Sequence, residues 1–194
     1  MTKKCWIDLE TTGLDPDKNG TNHISGIIDI NGIETEEFDY KVRPFSEDLI
    51  NKESLEIQNV ILEDIRIYPA AEEIYKIFIR LLEKHINKYN KTDKFFWLGY
   101  NSQFDNNFLR VWFNKLGDKY FGSWWWNPPI DVMSLAMNYL INSRSKMSNF
   151  KLHTVAREFG IEIDEAQCHA ALYDIKITKK IYEKINQGTR SDTT

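Results

Sequence analysis

The stretch Lys4-Cys5-Trp6-Ile7-Asp8-Leu9-Glu10-Thr11-Thr12-Gly13-Leu14-Asp15 constrains this chain more than any other, because it sets two acids into an otherwise apolar strand. Side chains alternate faces along a strand, so Cys5, Ile7 and Leu9 point one way and Trp6, Asp8 and Glu10 the other. A strand this apolar is expected to be central and covered. Two neighbouring carboxylates on a covered face repel each other and lose hydration, which costs several kcal/mol unless something positive compensates. Carboxylate oxygens without nearby thiols select a hard divalent cation, Mg²⁺ or Mn²⁺, over zinc. Taken alone, the same pair also suits a hydrated strand end, with Gly13 making the turn.

The segments that follow read as an α/β chain. Asp15 to Gly20 is rich in turn-forming residues, and His23–Ile30 and Ile33–Val42 are strand-like runs joined by Asn31-Gly32. Asn-Gly tolerates the positive φ of a type I′ turn, so the chain is expected to open with three strands, the last two antiparallel. Pro44 to Pro69 is too irregular for one helix and reads as loop and short helices. Ala70 to Tyr89 repeats apolar residues every three or four positions and reads as a long amphipathic helix. Lys94 to Tyr100 is a buried strand after that helix, which implies a crossover and a parallel pairing.

Asn101 to Phe113 then carries an apolar helical face that includes Phe104 and Phe108, so Asp105 falls in a first helical turn at the C-terminal edge of a strand. Ser102-x-x-Asp105 also has the spacing of a capping box, which needs no function. Tyr120 to Pro129 holds Trp124, Trp125, Trp126 and two prolines; its rings are expected to fill core under a long loop, with a base-stacking platform as the alternative. Ile130–Ile141 and Lys151–Phe159 read as helices, the first preceded by Asp131 as an N-cap or a supporting acid, the second stopped by Gly160. In the last helix, His169 and Asp174 are five residues apart, about 500° of rotation, so they converge only if His169 lies in the approach to the helix.

At 194 residues and 42% hydrophobic content, one core and one domain are expected, over residues 1–187, with a polar tail from 188 to 194 expected to be disordered. No apolar run approaches the roughly 20 residues of a membrane span, and two cysteines, Cys5 and Cys168, fit neither a zinc site nor a disulfide framework; a cytoplasmic protein is expected. A net charge of −4 argues against a general basic surface for nucleic acid, although two divalent cations held by four carboxylates would bring the chain near neutrality.

Asp8, Glu10, Asp105, His169 and Asp174 thus stand at element edges in three separated segments. Acids that hold two cations and a base of near-neutral pKa are what a two-metal phosphodiester hydrolase requires. Ile7-Asp8-Leu9-Glu10-Thr11-Thr12-Gly13-Leu14, Asn101-x-x-Phe104-Asp105-x-x-Phe108-Leu109 and His169-x-Ala171-x-x-Asp174 resemble, in order, the three motifs of the DEDDh (DnaQ-like) family of 3′-to-5′ exonucleases.

The resemblance implies a ribonuclease H-like fold, a mixed five-stranded sheet with three antiparallel strands first and helices on both faces. It implies that Asp8, Glu10 and Asp174 hold one metal, that Asp8 bridges to a second, that Asp105 acts directly or through water, and that His169 deprotonates the nucleophilic water. It further implies that Thr11, Thr12 and Leu14 meet the 3′-terminal nucleotide of a single strand, with Asn101 and Phe104 nearby. Tyr100-Asn101 stands where many relatives have His-Asn. The expected partner is a nucleic acid 3′ end, single-stranded DNA first and RNA or very short oligonucleotides as the alternative, with a homodimer or a replication or repair complex as possible settings. A non-catalytic nucleic-acid-binding or polymerase-docking module is the rival of another class; clustered acids argue against it because they repel phosphate.

Overall fold

The apolar run that opens the chain becomes β1 (Lys3–Thr11), the middle strand of a five-stranded sheet. Antiparallel β2 (Thr21–Ile30) and β3 (Ile33–Lys41) lie on one side of it, and β4 (Phe95–Gly99) and β5 (Trp125–Asp131) on the other, both parallel to β1, in the order β3-β2-β1-β4-β5. The computed structural model describes residues 1–167 and 170–191, with side chains through 188. Asn31 and Gly32 make the β2–β3 turn at φ of 54° and 87°, the left-handed values an Asn-Gly pair accepts without strain.

Seven α-helices complete the described chain. α1 (Lys52–Ile57) and α2 (Leu62–Ile67) are short, as the irregular sequence between Pro44 and Pro69 suggests. α3 (Ala71–Glu83) ends earlier than its apolar pattern predicts; the next turns are folded back, with the His85 carbonyl accepting from the Lys3 ammonium at 2.5 Å. α4 (Ser102–Lys115), α5 (Val132–Tyr139), α6 (Leu152–Glu158) and α7 (Ala171–Ser191) follow, and α7 continues past Gln187 into the stretch expected as a tail. No helix among the described residues is long and apolar enough to cross a membrane.

The alternation read in β1 sorts two cores. Cys5, Ile7 and Leu9 face α3 and α4 together with Phe78, Phe95, Trp97 and Phe113, while Trp6 faces α5, α6 and α7 together with Leu98, Val155 and Ile181. The Trp124 to Pro129 stretch is not a loop over that core: its residues from Trp125 onward form β5. Trp124 and Trp125 are buried, and the Trp97 and Trp125 rings meet edge-on at 5.1 Å. Pro128 and Pro129 are tolerated because β5 is an edge strand and the prolines fall in a break of its register, between Trp126 opposite Phe96 and Ile130 opposite Leu98. The opposite edge, β3, is mostly exposed and acidic; Glu36 meets Lys84 at 2.9 Å, Glu37 meets Lys176 at 3.0 Å, and Glu34 pairs with Lys179.

In β2, Gly26 stands opposite Ile7 of β1 and Phe38 of β3. A Cβ there would collide with Phe38 Cζ and lie 2.6 Å from the Trp6 carbonyl oxygen, which is backbone and cannot move aside alone. Gly26→Ala is therefore expected to destabilise the protein by roughly 1–3 kcal/mol, the usual cost of overpacking. Urea denaturation measures this; an unchanged midpoint would show that the Phe38 ring swings away freely.

Candidate active site

Parallel pairing brings the C-terminal ends of β1, β4 and β5 to one edge of the sheet, and the acids meet there. Asp8 and Glu10 lie at the end of β1, half-buried, on the face that α7 covers. The β1–β2 register shifts between Glu10 and Thr11, a bulge that bends the strand where the site begins. Asp105, in the first turn of α4, is buried, and one of its carboxylate oxygens accepts the Leu9 backbone N–H at 2.9 Å. That bond fastens α4 to β1 and displaces the capping-box reading: the N-cap of α4 is Asn101, left-handed at φ 58°, and it makes no side-chain cap. Asp174 enters from the first turn of α7.

These carboxyls feel one another's charge. Burial first, then the negative charges of Asp105, Glu10 and Asp174, hold the Asp8 carboxyl well above the ordinary carboxylate range. Burial and then Asp174 push Glu10 up to about 7. Burial pushes Asp105 up to about 8, with Glu10 and Asp131 adding to it while the N–H donors of Leu9 and of Asp105 itself pull the other way.

The site's supports are less visible in the sequence. Asp131 caps α5 through the Met133 N–H at 3.1 Å and the Ser134 hydroxyl at 2.7 Å, and it also accepts the Asn101 N–H at 2.8 Å, tying the end of β5 to the β4–α4 turn. His153, on α6, was not singled out by any motif, yet its Nε2 lies 2.8 Å from Asp174 Oδ1. The only available signal was its identity as one of four histidines, on a helix that immediately precedes the last acid motif. Tyr100, in the position that departs from the resemblance, donates its hydroxyl to the Phe150 carbonyl at 2.7 Å and so anchors the segment leading into α6.

The residues expected to meet a strand end are arranged unevenly. Leu14 is 81% exposed beside the acids' turn, as a wedge requires. Thr11 is buried and its hydroxyl donates to the Gly13 carbonyl at 2.7 Å. Thr12 is fully buried: its N–H donates to the Gly20 carbonyl, its carbonyl accepts from the Asn51 N–H, and its hydroxyl donates to the Leu49 carbonyl and accepts from the Gly20 N–H. Its polar groups build the turn instead of facing a ligand. Phe104 packs on Phe108 at 4.8 Å and is partly buried against the core, and Asn101 is exposed. Trp124 and Trp125 are excluded as a stacking platform by their burial, leaving Trp126 at 36% exposure. His169 lies outside the described residues.

The donor set fits a hard divalent cation: oxygen donors only, raised in pKa by burial first and then by one another's charge, both of which a cation would offset. Among the described residues no group of three or more His, Cys, Asp and Glu side chains is drawn together as a metal cage.

The family model described as exonuclease matches residues 5–182. The chain is 28% identical over 176 residues to the PolC-type DNA polymerase III of Thermotoga petrophila, covering 91% of this chain and 11% of that protein. It is 26% identical over 188 residues to the ribonuclease T of Buchnera aphidicola, covering 92% of this chain and 81% of that protein. Among solved structures, E. coli exonuclease I in complex with a dT13 oligonucleotide is similar at a TM-score of 0.75 and 17% identity, over 99% of this chain and 42% of that one. The chain therefore spans about a tenth of the polymerases and under half of exonuclease I. This likeness and the strand order agree with the ribonuclease H-like sheet expected from the sequence.

The acids also set a pH dependence. Glu10 and Asp105 keep their protons to about 7 and about 8 in the folded chain, whereas in the unfolded chain they titrate at roughly 4. The folded state thus binds more protons than the unfolded state between those values, so stability falls as pH rises through that window. In chelator, Tm is expected to drop by roughly 5 °C or more between pH 5.5 and 8.5. Mg²⁺ is expected to offset the drop, since it binds the deprotonated acids. A Tm in chelator that holds or rises over this range would show that the acids do not repel one another.

Proposed function

The chain belongs to the exonuclease family, and from that premise we propose that it is a metal-dependent 3′-to-5′ exonuclease that shortens single-stranded DNA and releases nucleoside 5′-monophosphates. The observation that carries this reading is the mutual charge coupling of Asp8, Glu10, Asp105 and Asp174, acids from three separate segments gathered at one sheet edge. Buried carboxyls brought together from separate segments, with pKa values raised by burial and by one another's charge, are characteristic of functional sites.

In this reading Asp8, Glu10, Asp174 and Asp105 are the residues that would hold the divalent cations, Asp105 directly or through water. The cations, Mg²⁺ or Mn²⁺, supply Lewis-acid stabilisation of the charge that develops on the phosphate oxygens and the leaving oxygen. His169 would take a proton from the attacking water; the water oxygen bonds to phosphorus as the P–O3′ bond breaks, and the leaving O3′ takes up a proton from solvent, so that the shortened strand ends in a 3′-hydroxyl. Asp105 is kept in place by the Leu9 N–H, which fixes one of its oxygens. Leu14 meets the terminal base from the exposed rim. Ile50, Leu55, Val60, Ile61 and Leu62 line an apolar cavity of about 480 Å³, space enough for a nucleobase, on a segment hydrogen-bonded to the Thr11–Thr12 turn.

The dT13 oligonucleotide bound by exonuclease I supports DNA as the substrate. RNA ends are the second reading, favoured by the likeness to a ribonuclease T over four fifths of that protein's length. The likeness to PolC-type polymerases supports a setting in replication or repair, as one part of a larger assembly.

A time course with 5′-labelled DNA and RNA strands of one sequence, in Mg²⁺, Mn²⁺ or chelator, tests this function. Wild type is expected to give a ladder that shortens from the 3′ end only with metal. Asp8→Asn, which keeps the shape and removes the charge, is expected to lose on the order of a hundredfold or more in rate. Faster loss of the RNA would select the second reading, and no shortening of either strand would return the binding-module reading.

A further inference from the structure

His153 contacts an acid of the site without belonging to any of the three motifs. Its Nε2 lies 2.8 Å from Asp174 Oδ1, and the two side chains are 16% and 18% exposed, so water competes weakly for the bond. Both ends of the pair are fixed. On the histidine side, Val155 and Ala156 of α6 are fully buried in the second core, and the Phe150 carbonyl before α6 accepts from Tyr100. On the aspartate side, the Asp174 N–H bonds the Ala170 carbonyl at 3.0 Å, and Ile175 and Ile177 are buried in the same core as α6.

A carboxylate has two oxygens and a soft torsion about the bond that carries them. A donor fixed on Oδ1 halts that rotation and aims Oδ2 in one direction. Histidine is suited to the task because a ring N–H donates along a defined line from a rigid body. We propose that His153 is a positioning residue: it donates Nε2–H to Asp174 Oδ1 and thereby orients Asp174 to hold the divalent cation of the site. This inference rests on the reading of Asp174 as a metal ligand given above.

It also assigns a purpose to α6. Seven residues long, this helix contributes few core side chains, yet it places an imidazole against the acid that begins α7. Supporting hydrogen bonds of this kind are worth about 10- to 100-fold in metal affinity or activity.

Two substitutions separate the donor from the bulk. His153→Phe keeps a ring of similar size and removes the N–H, and His153→Gln keeps an N–H donor on a different frame. Mn²⁺ binding followed by electron paramagnetic resonance, Tm in chelator, and kcat and KM on a single-stranded oligonucleotide are measured on the full chain. His153→Phe is expected to weaken Mn²⁺ binding about 10- to 100-fold and to lower kcat with KM for the oligonucleotide unchanged. His153→Gln is expected to regain most of the affinity, and Tm in chelator is expected to vary little across the three proteins. Mn²⁺ affinity of His153→Phe within twofold of wild type would overturn the proposal, as would a loss that His153→Gln does not recover. Folded wild-type protein that binds no Mn²⁺ would instead overturn the metal reading of the acids and this inference with it.

Discussion

A strand covered by helices on both faces, and nevertheless ending in two carboxylates, is the constraint on which the rest of the structure depends. Burial of Cys5, Ile7 and Leu9 on one side and Trp6 on the other makes β1 central. Centrality in turn places Asp8 and Glu10 where water is scarce, so their charge cannot be dispersed into solvent. The parallel strand β4 is what gives this charge company, because its C-terminal end points the same way and delivers α4, with Asp105 in the first turn, to the same edge. An antiparallel β4 would have placed that helix start at the opposite end of the sheet. The Leu9 N–H to Asp105 bond then locks the helix to the strand, using a donor at the last regular part of β1 before the bulge.

The surroundings of the acids are stiffened in the same way. The turn after β1 is braced by Gly20, Leu49, Asn51 and the Gln58 side chain, which donates to the Thr11 carbonyl at 2.8 Å. Thr12 has no exposed surface and spends its hydrogen bonds on this bracing, which leaves Leu14 standing out from a rigid base. An apolar side chain presented by a fixed turn loses little freedom when something packs on it, and that preorganisation favours binding.

Where the residues signal locally, the sequence reading and the structure coincide. Alternation in β1, the Asn31-Gly32 turn, and the helical faces of α3, α4 and α7 depend on periods of 2 and 3.6 that no distant contact alters. The acids at 8, 10, 105 and 174 were legible because three ordered motifs name them. Tertiary context decides the rest. Tyr120 to Pro129 reads as an aromatic loop and Ile130 onward as helix, whereas Trp125–Asp131 forms a strand, because an edge position with a break in register accommodates its prolines and the core accepts its first indole. Ser102 and Asp105 have capping-box spacing, and the acid instead bonds a strand 96 residues earlier in the chain. His153 meets Asp174 across 21 residues, a contact that neither helix announces by itself.

The two edges of the sheet have a bearing on assembly. One ends in prolines and the other in acids paired with lysines from α3 and from α7, so neither offers a clean row of unpaired backbone groups to another chain. Strand addition is thereby discouraged at both margins. Anything that joins this chain to a larger machine has to grip the helical faces or the loops, and it can do so without disturbing the sheet end where the carboxylates stand.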